Sequence, residues 1–252
     1  MNFIGLYYFT RREIHRFMKV INQSIFPPIV SSLIYIVIFS FIIGKNTTIQ
    51  GVNYLEFILP GLVMMAIINN SFGNSAYSVF ISKFTKHLEH VLTMPLSYFE
   101  LSLAYVLGSI ARGLLTGIGI IIVLAFFINI TIHNIFFVII YFLMAAILFG
   151  SLGILTALWS KTFDHLGVFN TFILTPLTML GGVFYSIKVL PETFQKLTLF
   201  NPIFYLVDGF RYGMLGIHDG SILIGLIVSL ILSICSFFLI VYLMKKGWKV
   251  KQ

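Results

Sequence analysis

Charge is scarce in this 252-residue sequence: Lys, Arg, Asp and Glu together make up 10% of it, while 59% is hydrophobic. Soluble domains carry about 25% charged residues, so a water-soluble fold is excluded. The scarcity is also blocked. No charged residue falls between Lys19 and Lys45, Glu56 and Lys83, Arg112 and Lys161, Asp164 and Lys188, or Asp219 and Lys245. Each block exceeds the ~20 apolar residues that cross a bilayer, and the third is long enough to cross twice. Strict polar–apolar alternation over about ten residues is missing, which excludes a membrane β-barrel. A single cysteine, Cys235, excludes an intramolecular disulfide.

Chemical motifs are missing as well. There is no G-x-x-x-x-G-K-[ST] loop, so this chain has no phosphate cradle of that kind for a nucleotide. H-E-x-x-H, C-x-x-C, G-x-S-x-G and a potassium-filter sequence are all absent, against protease, hydrolase and channel readings. No Asp, Glu or His lies in the core of any of the spans these blocks can form. Ion-coupled carriers commonly use such a group as a relay, so the energy for any transport is expected from elsewhere. An ion-coupled carrier or channel working without a partner is the alternative. The apolar run after a polar, basic beginning is too long for a signal-peptide core, and no cleavable leader is expected.

What is present reads as an all-α polytopic membrane protein. Six spans fit: Ile25–Ile43, Leu55–Val79, Leu103–Ile128, Ile135–Leu158, Leu166–Tyr185 and Ser221–Met244. The polar alternation from Asn129 to Asn134 divides the longest block at a short turn. With the N-terminus inside, the inner segments hold eleven basic residues: Arg11, Arg12, Arg16, Lys19, Lys83, Lys86, Lys161, Lys245, Lys246, Lys249 and Lys251. The outer segments hold four, Lys45, Lys188, Lys196 and Arg211. That asymmetry places both termini in the cytoplasm. It also assigns the net charge of +8 to topology rather than to nucleic acid.

Residues 1–24 form the first distinct segment. Ile14, Phe17, Met18 and Ile21 recur at helical spacing opposite Arg12, Arg16 and Lys19, which describes a helix lying in the inner interface. It fits a basic topology anchor and a platform for a cytoplasmic partner equally. The inner loop 81–101 carries Phe84, Leu88, Val91 and Leu92 as an apolar stripe, with Lys83, Lys86 and Glu89 beside it and Pro95 ending it. An amphipathic helix held at the cytoplasmic face suits docking against another protein. The outer segment 186–220 is too apolar for a free loop. Pro191 opens one helix, Asn201-Pro202 breaks it, and Asp208 and Arg211 are spaced to pair on a polar face. Two short helices re-entering the outer leaflet, or a hairpin lying on the surface, satisfy this pattern.

In the second span Asn70, Asn74 and Ser78 share one helical face, for interhelical hydrogen bonds or for a polar pathway. Arg112 is the only charge in the core of a span. It either snorkels to the inner interface or faces a cavity beside the close-approach spacing Gly113/Gly117.

Taken together, these residues resemble the type-2 family of ABC transporter permeases, in particular its YadH-like bacterial exporters. The matches run in order along nearly the whole chain: Glu13–Phe17, Pro60-Gly61-Leu62, Lys83-Phe84 through Glu89 to Pro95, Ala111-Arg112-Gly113 and Lys161–Asp164. They continue with Thr175–Thr178, Gly181–Tyr185, Leu190-Pro191, Asn201-Pro202 and Gly209–Gly213. The resemblance implies a permease subunit in the bacterial inner membrane that pairs with a second copy and with two cytoplasmic ATP-binding subunits. ATP and Mg would bind those partners, leaving this chain without a cofactor or catalytic site. It further implies that Lys83–Pro95 is the coupling helix, that the N-terminal helix is a connecting helix, and that 186–220 re-enters from outside. Cargo would be an amphipathic drug, a lipid or a lipid-linked saccharide.

Overall fold

A computed structural model describes residues 2–43 and 47–248. Lys45, Lys249 and Lys251, counted above for topology, lie outside the described residues. In chain order the helices are α1 (Phe3–Met18), α2 (Ile21–Ser24), α3 (Phe26–Ile43), α4 (Tyr54–Phe84), α5 (His87–Leu92), α6 (Tyr98–Leu124) and α7 (Ile135–Trp159). Then come α8 (Phe163–Phe169), α9 (Thr175–Met179), α10 (Glu192–Leu199), α11 (Pro202–Leu215) and α12 (Ile222–Lys246). A two-stranded hairpin, Thr48–Ile49 with Val52–Asn53, joins α3 to α4. Gln50 and Gly51 at its tip both have positive φ, the backbone of a primed hairpin turn.

Among the described residues, five helical stretches are long and apolar enough to cross a membrane: Ile21–Ile42, Tyr54–Phe84, Tyr98–Leu124, Ile135–Trp159 and Ile222–Lys246. The protein is therefore an all-α polytopic membrane protein. The fifth apolar block is built differently from the regular span Leu166–Tyr185 expected from composition. Helix α8 runs through a π turn, Asn170–Leu174, into α9 and stops at Met179. Gly182, at φ 72, then reverses the chain, a backbone that glycine adopts without steric cost. The reversal brings Val183 under α4, where its carbonyl would lie 2.5 Å from a Cβ placed on Gly61.

Helix α4 is the centre of the packing. Nearly every side chain from Phe57 to Ser82 is buried, against α6 on one side, α7 on another and α11 near its start. Small residues permit this. A Cβ on Gly113 would meet the Ser71 hydroxyl at 2.5 Å, and one on Gly153 would meet the Phe72 carbonyl at 2.4 Å. Ser75 donates across to the Gly150 carbonyl at 2.6 Å. The Gly113/Gly117 spacing is thus a packing seam for Ser71 and Ile67 of α4.

Helix α1 does not stand alone. It buries Phe9, Glu13 and Phe17, so that of the stripe Ile14, Phe17, Met18 and Ile21 only Phe17 is buried and Met18 is exposed, and it follows the first turns of α6. Gly5 lies beside Leu96, Phe9 packs edge-on against Tyr105 with ring centroids 5.1 Å apart, and Glu13 lies over Gly108. By contrast α3 and α12 show water-incompatible faces: Phe41 is 87% and Leu223 69% exposed.

Candidate functional site

Three groups of residues singled out by the sequence can now be placed. The first lies at the end of α4. Lys86 adopts a left-handed backbone, φ 58, and turns α5 away from the α4 axis. The single helical stripe from Phe84 to Leu92 is therefore broken: Phe84 closes α4, and only Leu88, Val91 and Leu92 share α5. Leu88 and Val91 are buried and anchor the short helix. Phe84, Lys86, Glu89 and Pro95 are exposed, as are His87 and His90. Lys83 is turned inward and donates to the carbonyls of Leu158 (2.6 Å) and Ser160 (2.9 Å), tying this loop to the one after α7.

Lys83→Met is expected to lower stability by about 2 kcal/mol, since two carbonyls lose an ammonium donor. Thermal unfolding in detergent measures it, and an unchanged transition would remove the strut role. Next to this loop, Ser97 and Glu100 form a capping box for α6, and Glu100 also accepts from the Asn2 backbone amide. Asn2 in turn donates to the Pro95 carbonyl. The start of α1 is thereby fastened to the α5 loop. Ser97-x-x-Glu100 is a readable signal that the sequence reading passed over.

The second group is the polar face of α4. Ser78 donates to Glu13 at 2.6 Å, Asn74 accepts from Arg16 at 2.9 Å, and Asn70 accepts from Arg112 at 3.1 Å. All three polar side chains are buried and engaged by α1 or α6. Glu13 completes the cluster: fully buried, it pairs with Arg12 at 3.0 Å and Arg16 at 3.3 Å. Sequence reading missed its role. The available signal was a single acid among basic residues, three positions before Arg16.

The third group lies at the opposite end of α4. Asn201 caps α11 and reaches the Leu177 carbonyl, and Pro202 occupies the first helical turn, as the break predicts. Pro191 immediately precedes α10. Asp208 and Arg211 pair at 3.9 Å, but not on a polar face: both are buried. Arg211 lies 4.1 Å over the Phe57 ring and donates to the carbonyls of Gly182 (2.6 Å) and Phe57 (3.4 Å). Asp208 accepts from the amides of Asp219 and Gly220. Asp219 then takes hydrogen bonds from Gln50, Ser186 and the Ile187 amide. This end is a clasp that locks the β-hairpin, the 186–189 turn and α11 together.

Among the described residues no cluster of His, Cys, Asp or Glu is arranged to hold a metal.

Residues 5–215 match the ABC-2 type transporter family. The inner membrane transport permease YadH of Escherichia coli K12 is 40% identical over 238 residues, 94% of this chain and 93% of that protein. Nodulation protein J of Neorhizobium galegae is 24% identical over 241 residues, 89% of each chain. Nodulation protein J of Sinorhizobium fredii NGR234 is 22% identical over 199 residues, 79% of this chain and 76% of that protein. With a family match across most of its length and a permease relative spanning nearly all of it, the chain belongs to the ABC-2 type transporter family, as a membrane permease that is not itself the ATPase.

Proposed function

We propose that this chain is the membrane subunit of an ATP-driven exporter in the bacterial inner membrane, working with cytoplasmic ATP-binding subunits. The observation that carries the reading is α5. A six-residue helix is held off the end of the most buried helix by Leu88 and Val91, with Lys86, Glu89 and Pro95 facing outward. The start of α1 is fastened to the same loop through Asn2. A push on α5 is therefore transmitted to α4 and α6 together, which is what coupling to a partner's closure requires.

In this reading six segments cross the membrane, the 163–179 helix being one of them, and both termini are cytoplasmic. Two permease chains assemble with two ATP-binding subunits that hold ATP and Mg. The apolar faces of α3 and of the 163–179 helix, where Phe172 is 73% exposed, meet lipid and the second copy. Helices α10 and α11 re-enter from outside, and the cargo is amphipathic or lipid-linked, moved outward.

Co-purification of the tagged chain with an ATP-binding subunit tests the core of the proposal. Transport by the chain alone in ATP-free vesicles would sink it. Within the assembly, Glu89→Lys and Pro95→Ala should leave membrane insertion and ATP hydrolysis near wild type. Export should fall about tenfold, the effect of ~1.4 kcal/mol of lost coupling. Wild-type export in both variants would take the coupling role away from α5.

A further inference from the structure

Helix α4 has 31 residues and is about 46 Å long, whereas the hydrocarbon layer is about 30 Å thick. With Tyr54 at one interface, the other hydrocarbon boundary falls about 20 residues later, at Asn74. The polar cluster on α4 therefore straddles the hydrocarbon boundary on the α5 side, Asn70 about one turn inside it and Ser78 about one turn beyond. At that level three guanidinium groups, Arg12, Arg16 and Arg112, meet one carboxylate, Glu13. Arg12 and Arg16 share Glu13; among the described residues no carboxylate lies within ion-pair distance of Arg112.

Asn70 and Asn74 are one helical turn apart, and each orients one arginine by accepting from it. The two asparagines that hold the guanidinium groups are four residues apart, about 6 Å along the axis, a spacing at which one tetrahedral phosphate can lie between two guanidinium groups. Both arginines remain partly exposed, and the Arg112 contact uses only its Nε, leaving its terminal amino groups available. Fixed asparagine acceptors do not neutralise them. Glu13 offsets only one of the three guanidinium charges; the positive excess held at a membrane boundary calls for an anion, and arginine pairs with phosphate through two parallel hydrogen bonds.

From this placement we infer that Arg16 and Arg112 form a binding site for the phosphate of an amphiphile in the α5-side leaflet. The site deepens the permease proposal, because it rests on α4 spanning the membrane and gives that reading a ligand class. It would hold the headgroup of a bulk phospholipid or the phosphate of a lipid-linked cargo; the chemistry recognised is the same.

Native mass spectrometry of the purified full chain, with phosphatidic acid, diacylglycerol and inorganic phosphate as probes, tests this. Wild type should retain phosphatidic acid and not diacylglycerol. Arg112→Gln should weaken retention about tenfold or more, the loss of a charge-assisted pair. Arg11→Gln, an exposed control, should not. Arg112→Lys, which keeps the charge without the fork, covers the case in which the glutamine variant does not fold; it should weaken retention severalfold. Equal retention of diacylglycerol, unchanged binding in both Arg112 variants, or an equal loss in the Arg11 variant would each overturn the site. Displacement by an equal concentration of inorganic phosphate would overturn the amphiphile as its ligand. Adding a phosphate-linked saccharide lipid separates the sources: preference for it over phosphatidic acid assigns the site to cargo, and no preference to bulk lipid, the phosphate site standing in both. No ATPase partner is needed. Failure here leaves the permease proposal standing, and failure to capture an ATPase leaves this site standing.

Discussion

Arg211→Ala is expected to destabilise the protein by about 4 kcal/mol, the range for breaking a buried ionic group by removing one partner. Arg211 is 1% exposed and among the largest fully buried side chains. Its removal leaves the Gly182 carbonyl without the donor at 2.6 Å and Asp208 without its cation at 3.9 Å. It also empties the volume above the Phe57 ring. Asp208 keeps the Asp219 and Gly220 amides, so the carboxylate is not abandoned. Arg211→Lys should recover part of the loss, because an ammonium keeps the charge and can donate to a carbonyl but lacks the planar guanidinium that stacks on the ring. Thermal unfolding of the three proteins in one detergent checks the order wild type, lysine, alanine. If alanine unfolds within about 1 kcal/mol of wild type, the clasp is held by its amide bonds and not by Arg211.

The burial of this arginine shows where sequence reading reaches its limit. The charge-free blocks locate the long helices within a few residues because bilayer thickness and helix rise fix their length. The break at Asn201-Pro202 is equally local, since it is decided by the backbone chemistry of those two residues. Amphipathic stripes mislead in a protein with several packing layers. Ile203, Leu206, Val207, Phe210 and Met214 recur at helical spacing along α11 and are buried, yet Asp208 and Arg211 outside that stripe are buried too, with Arg211 reaching the Gly182 turn and α4. The partners of Asp208 and Arg211 come from residues 219, 220, 182 and 57, and no periodicity within one helix points to them. Lys86 is a similar case. A lysine carries no αL signature, so the bend that frees α5 from α4 was invisible in the stripe.

Glu13 is the clearest instance, and its replacement carries the other large expected effect. The carboxylate is fully buried between α1, α4 and α6, accepts from Ser78 at 2.6 Å and pairs with two arginines. Glu13→Ala should cost about 3 kcal/mol, toward the low end for a broken buried ion pair, because both guanidinium groups are about a third exposed and regain water. A smaller loss is expected for Glu13→Gln, which still accepts from Ser78 but no longer balances Arg12 and Arg16. A cycle with Arg16→Ala should give a coupling energy of about 1–2 kcal/mol; additive effects would show that Glu13 is held by packing over Gly108 instead. The same variants should also loosen α1 from α4 while leaving the Asn2–Pro95 fastening at its other end intact. Hydrogen exchange at α1 should therefore rise from the Arg16 end first. Uniform exchange along the helix would mean that α1 is carried by α6 alone, and that the ionic cluster plays no part in transmitting motion between the docking loop and the spans.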